Sequence, residues 1–219
     1  MLIGESMKNT FEYVSEFSAN QDKGYLVGVG SVESSYLIQA TPCIKSFIHE
    51  DLPSVMVFTQ YLSQLEGPLW KQIRGLGLTY HHSMYLDIEA GLLYFMLAKS
   101  TNIVSAYKEA TDIVMNYVSG KTPFSDVELE SARSSLIFEI IEEEKTVSDV
   151  ANQSLLSYFR GISQNYYKEF LQKVAKVTIS DLQRVGSKYM APLFDASKIK
   201  TSVCCHPSKV EEVAAGFKE

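Results

Sequence analysis

The spacing of apolar residues switches repeatedly between a period of two and steps of three and four, and each switch predicts an element. Residues 25–32 are rich in valine and glycine and predict a strand, and residues 35–41 alternate well enough for a second, ended by Pro42. From Pro53 the spacing becomes helical. Val55, Phe58, Leu62, Leu65 and Leu69 recur in steps of three and four, which describes one face of a long helix. Pro53 suits its first turn, where the missing N–H costs no bond. Pro68 does not suit a straight helix and is expected to kink or divide it. Period two returns over residues 78–86 and 92–99, joined by residues 87–91. Alternation puts Tyr80 on the same side as Leu78, His82 and Met84.

Helical spacing dominates the second half. Asn102 is placed to cap a helix whose buried face is Ile103, Ala106, Ala110, Ile113 and Tyr117, and Gly120 ends it. Ser125, with Glu128 three residues later, forms a capping-box pattern opening a helix to about residue 144. Further helices are predicted over residues 148–160, 164–176 and 180–190, the last capped by Ser180 or Thr178 and stopped by Pro192. Residues 198–205 return as a strand and residues 208–217 close as a helix. Ahead of all these, residues 7–17 carry a weak helical pattern through Phe11, Val14 and Phe17, and residues 18–24 read as a polar loop.

The order is β-β-α-β-β, a run of helices, then β-α. Strands and helices segregated in this way predict an α+β fold, an antiparallel-rich sheet with helices packed on one face. No repeat, low-complexity tract or internal linker interrupts the chain. Residues 1–219 therefore read as a single domain, with 1–23 as a linker or the remnant of a preceding domain.

Composition narrows the classes of function. A chain of 219 residues can bury a core of its own, and 46% hydrophobic with 21% charged residues is globular composition. A net charge of −6 argues against a nucleic-acid partner. The three cysteines, Cys43, Cys204 and Cys205, form neither zinc spacing nor an even disulfide framework, which favours a reducing intracellular compartment. Mitochondrion and cytoplasm both remain open. Apolar runs such as residues 91–98 are too short to span a bilayer, so no membrane partner is expected. The first ten residues lack an apolar core with a cleavage site and include Glu5, so they do not read as a signal peptide. A start this abrupt is expected of a piece of a longer gene.

Most candidate chemistry dissolves on inspection. His81 and His82 are neighbours on a predicted strand, so they point to opposite faces and cannot chelate one ion together; His49 and His206 have no partner at ligand spacing. No metal site is expected in this chain. Glu139, Glu142, Glu143 and Glu144 read as a solvated helix surface, with Ile140 and Ile141 on the buried side. Gly28 and Gly30 lack the signature of a phosphate loop, and Ser34-Ser35 lack a histidine–acid pair. Cys204-Cys205 read as core sulfur, and Trp70, Tyr94 and Phe95 as packing residues.

What remains is the stretch Gly67-Pro68-Leu69-Trp70-Lys71-Gln72-Ile73-Arg74-Gly75-Leu76-Gly77-Leu78-Thr79-Tyr80, where a helix enters a glycine-containing turn and leaves as a strand. The junction brings Arg74, a permanent cation with five donors, near the Tyr80 hydroxyl at the mouth of a sheet. Two such donors suit a peptide carbonyl, or the oxyanion it becomes during hydrolysis. Spacing alone favours the plainer reading, in which Arg74 pairs with a nearby carboxylate and Tyr80 is half-buried core.

Residues 67–85, followed by Glu89-Ala90-Gly91-Leu92-Leu93-Tyr94-Phe95, resemble a segment of the pitrilysin/insulinase-type zinc metallopeptidases, most of all their presequence-protease-like branch. There a leucine–tryptophan pair, an arginine, a glycine-rich turn and a tyrosine lie in the last domain of the C-terminal half. The resemblance runs more loosely from about Gly24 to the end. It implies that Arg74 and Tyr80 reach across to an active site in the other half, binding the substrate backbone or oxyanion. The chain would be the substrate-binding, chamber-closing domain of a zinc metalloendopeptidase that degrades peptides. The H-x-x-E-H helix that holds zinc in that family is missing here. The resemblance therefore implies that zinc belongs to a catalytic zinc-bearing half elsewhere, on the same longer chain or a separate subunit, and that this chain alone is inactive. A non-catalytic subunit or scaffold of the same fold is the alternative.

Overall fold

The computed structural model describes residues 24–217; the weak helical pattern over residues 7–17 and nearly all of the polar loop after it lie outside them. A five-stranded sheet is built from β1 (Gly24–Gly28), β2 (Ser35–Pro42), β3 (Thr79–Asp87), β4 (Leu92–Ser100) and β5 (Lys200–Cys205), in the spatial order β1-β5-β2-β4-β3. β1 and β5 are parallel, with Leu26 beside Val203, and every other pairing is antiparallel. The first strand is shorter than its valine-rich sequence suggests, because the chain leaves the sheet after Gly28.

Helices cover one face. They are α1 (Leu52–Ser63), α2 (Ile103–Val118), α3 (Asp126–Glu142), α4 (Val147–Arg160), α5 (Tyr166–Val174), α6 (Ile179–Val185) and α7 (Val210–Gly216). Leu37, Leu93, Phe95, Leu97 and Val203 face this layer and are buried against α1 residues Val55, Phe58 and Leu62 and α2 residues Ala106, Ala110 and Val114. No described element covers the opposite face. Ile38 stands half in solvent in the middle of the sheet, and Tyr85 stacks on Tyr94 with ring centroids 5.1 Å apart.

Caps set most helix starts. Asn102 and Ser125 accept hydrogen bonds from Ser105 N–H and Glu128 N–H, at 3.0 and 3.4 Å. The box expected at Ser125 is only half made: the Glu128 carboxylate accepts from the Tyr61 hydroxyl at 2.6 Å, and Ser125 N–H donates to that same hydroxyl oxygen at 3.1 Å. Of the two candidates for α6, Thr178 is the cap, and it forms a reciprocal box with Asp181. The start of α4 is fixed by a box between Thr146 and Asp149 that sequence reading passed over. Pro192 does not stop the chain's helical path. It occupies the first turn of a 3-10 helix, Ala191–Phe194, where its missing N–H is harmless.

Two further expectations are corrected. Leu65 belongs to no helix face and is exposed, because α1 ends at Ser63 and the chain turns through Glu66, whose φ is +60°. Pro68 then opens a new helical stretch, dividing the element as expected. Ile141 is also exposed: it lies one residue, about 100°, around α3 from buried Ile140, so the two cannot share a buried side. Cys205 is buried, whereas Cys204, its neighbour on β5, faces the open side and is half-buried.

Candidate functional site

The helical stretch that begins at Pro68 passes into a wider π-turn, Trp70–Arg74, in which Gly75 N–H bonds to Trp70 O at 3.3 Å. Leu69 and Ile73 anchor the turn in the core. Its exit needs glycine twice. A side chain at Gly75 would meet the Lys71 carbonyl oxygen at 2.1 Å, and Gly77 has a φ of +68°. The end of β4 then clamps the carbonyls that follow: Ser100 Oγ donates to Leu78 O at 2.7 Å and Thr101 Oγ1 to Gly77 O at 3.0 Å. The turn is thus held from both sides as it enters β3.

This scaffold sets Arg74 beside Tyr80, with 5.1 Å between the guanidinium carbon and the ring centroid. The Trp70 ring lies 5.6 Å from the same carbon. Trp70 is more than packing: it flanks the guanidinium, and its buried indole N–H has no partner among the described residues. Neither open alternative for the pair holds. Arg74 makes no ion pair among the described residues, and Tyr80 is 62% exposed rather than half-buried core. Each cation–aromatic contact at an exposed place is worth about 0.5–1 kcal/mol, enough to bias the guanidinium toward the rings without fixing it.

Tyr80, His82 and Met84 share a sheet face as alternation requires, but their burial diverges. His82 and Met84 lie under the helix layer, while Tyr80 extends past its edge. Burial, aided by His81 and Arg74 nearby, lowers the His82 pKa from 6.5 to about 4, and neither ring nitrogen has a partner. His82 is therefore a neutral buried group beneath the helices, not a base poised near neutrality.

Sequence reading missed Lys99. It stands opposite Tyr80 across the β3–β4 pair, between the partners Thr79↔Ser100 and His81↔Ala98, and its ammonium lies 5.5 Å from the Tyr80 centroid. Counting outward from the 87–91 turn could have placed it there.

The described residues do not fit a zinc ion. No three His, Cys, Asp or Glu side chains among them converge on a point. His81 is exposed on one face of β3 and His82 buried on the other. The glutamates of α3 take up surface bonds instead, Glu139 from Gln60 at 2.9 Å and Glu142 with Lys145 at 2.7 Å. Cys43 has a pKa raised to about 11 by burial, which makes it inert as a thiolate. No described helix is long and apolar enough to cross a membrane.

No protein-family model matches the chain. Among curated proteins it is 34% identical to an uncharacterized protein of Caenorhabditis elegans over 89% of this chain and 20% of that one. It is 29% identical to an uncharacterized protein of Schizosaccharomyces pombe over its whole length and 22% of the relative. The chain thus spans about a fifth of the length of these relatives. Among solved structures, a protease from Helicobacter pylori superposes with a TM-score of 0.70 at 16% identity, over 83% of this chain and 43% of that one. A peptidase M16 inactive domain from Pseudomonas fluorescens gives 0.65 at 17% identity, over 84% and 43%. A chain of complex III2 from Candida albicans gives 0.69 at 10% identity, over 83% and 45%. The α+β architecture built around the Arg74 turn is accordingly the fold of M16, pitrilysin-type, peptidase domains, inactive ones included.

Proposed function

We propose that this chain is a substrate-holding, chamber-closing domain of an M16-type zinc metalloendopeptidase that degrades peptides, related to the presequence-protease-like branch. One observation carries the reading. Arg74 is presented by a rigid glycine-dependent turn, flanked by Trp70 and Tyr80, and left without a carboxylate partner among the described residues. An arginine used only for stability would be expected to find an acid. One left with its fork of donors toward solvent is prepared for an oxygen that arrives with a ligand. In this reading Arg74 and the Tyr80 hydroxyl donate to a substrate carbonyl oxygen, and they donate more strongly as that oxygen gains charge in the tetrahedral intermediate. Zinc and the general base belong to another part of the longer protein or to a partner subunit. The stretch 1–219 acts as one C-terminal domain of it.

The test is peptide hydrolysis by the full-length protein carrying Arg74→Ala. Loss of one such donor is expected to lower kcat by about 10²–10³. Near-normal hydrolysis would remove the assignment. A second reading, a non-catalytic subunit or scaffold, draws support from the likeness to an inactive M16 domain and to a chain of complex III2. It predicts no peptidase activity in the complete native assembly, with or without the substitution.

A further inference from the structure

Lys99 is placed in an unusual way. Its φ of +55° lies in the left-handed region, which a residue with a long side chain occupies only at a cost. The result is a second basic side chain at one aromatic ring: the Lys99 ammonium is 5.5 Å and the Arg74 guanidinium carbon 5.1 Å from the Tyr80 centroid. Neither cation is paired with an acid among the described residues. Acid is not scarce in the chain, which has a net charge of −6. Lys71, on the same π-turn, reaches Glu128 at 3.2 Å, so a cation here can find a partner when its direction allows. Two like charges drawn to one ring repel each other, and an anion between them converts that cost into attraction.

We infer that Arg74, Lys99 and Tyr80 form a carboxylate-binding subsite, so that the site favours peptides presenting an acidic side chain or a free C-terminal carboxylate. This deepens, and rests on, the reading of Arg74 and Tyr80 as a peptide-holding pair. The Lys99 ammonium supplies the point charge for the carboxylate, the guanidinium with its five N–H donors has enough to share between the carboxylate and the backbone carbonyl, and the Tyr80 ring holds the two cations together while its single hydroxyl stays with the carbonyl. Trp70 closes one side of the fork and His82, neutral and buried, adds no competing charge.

The experiment is an NMR titration of the 219-residue chain, kept dilute enough to be monomeric by sedimentation velocity, with three acetylated peptides of one length. One carries an internal Glu and a C-terminal amide. The second replaces that Glu by Gln and keeps the amide. The third has the Gln and a free C-terminal carboxylate. At least one acidic peptide is expected to shift amide signals of residues 70–80 and 97–101 at concentrations roughly tenfold below those needed by the neutral one. Which of the two does so identifies the source of the carboxylate. Lys99→Gln should abolish the preference while leaving the melting temperature unchanged, and Lys99→Arg should retain it. Equal titration by all three peptides overturns the inference, as does a preference that survives Lys99→Gln. The two proposals separate cleanly: loss of hydrolysis in the full-length Arg74→Ala protein, together with an unchanged preference in Lys99→Gln, would leave the peptide-holding reading standing and remove the carboxylate subsite alone.

Discussion

At the scale of the residue, His82 shows what an enclosed imidazole costs. Its imidazole is enclosed beneath the helix layer with both nitrogens unpartnered, and its pKa falls to about 4 from 6.5. Between those values the unfolded chain binds a proton that the folded chain refuses, so stability rises with pH across the window and is fully present above it. The shift corresponds to at most about 3 kcal/mol, lost progressively as pH falls from 6.5 toward 4. His82→Leu removes the titrating group and the two unpaired nitrogens while keeping an apolar filling. The variant is expected to be at least as stable as the wild type at pH 7 and to lose the pH dependence in that window. Thermal melts at half-unit pH steps measure it, and an unchanged slope between pH 6.5 and 4 would refute the assignment. His81, one residue away, was equally conspicuous in the sequence. Alternation told the two apart by face, but only the packed helices reveal which face is dry.

At the scale of the element, Asp51 joins the start of α1 to the helical turn after α6. Its carboxylate is buried, and it accepts from Lys188 Nζ at 2.8 Å, from the Tyr189 hydroxyl at 2.8 Å and from Arg184. Burial alone would raise its pKa, but these three donors outweigh it and hold the carboxyl well below the usual carboxylate range. Stability from this junction is therefore present above the ordinary aspartate value and drains as pH falls below it, a lower window than that of His82. Asp51→Asn keeps the shape but loses the charge-assisted bonds, and is expected to cost about 2 kcal/mol at pH 7 by denaturant titration. A cost under half that would mean Lys188 and Arg184 are as well served by water. Local rules in the sequence captured the elements themselves: the caps Asn102, Ser125 and Thr178, the face of α2, and the division at Pro68 were all legible. The Asp51 junction was not, because its partners lie more than 130 positions away. Leu65 and Ile141 failed for a related reason. Periodicity reports what could share a face, while helix ends and neighbouring layers decide what is covered. The candidate site divides the same way: Arg74 and Tyr80 are six positions apart and visible as a motif, whereas Lys99 enters only through the β3–β4 register.

At the scale of the molecule, the sheet and most of its helices bury one face against each other, but α4 does not take part. Of its residues only Ser157 is buried. It is tethered by polar contacts, Arg160 to Glu89 at 2.8 Å and to the Tyr167 hydroxyl at 3.2 Å, rather than by apolar packing. Val147, Leu155, Tyr158 and Phe159 project outward from it, and Phe138 and Ile141 do so from neighbouring α3. Large apolar side chains exposed together along a helix favour association when nothing covers them. A chain spanning a fifth of its relatives' length therefore meets water with a face that is costly to expose. The isolated 219-residue chain is expected to self-associate at high micromolar concentration. The double substitution Tyr158→Ser, Phe159→Ser should suppress this while changing stability by no more than about 0.5 kcal/mol, since neither ring packs into the core. Sedimentation velocity across a concentration series reads the first effect and denaturant titration the second. Association that persists in the double variant would move the sticky surface elsewhere, with the open sheet face around Ile38 and Tyr85 as the next place to probe. A large loss of stability would show instead that α4 is held by its aromatic residues and not by the Arg160 contacts.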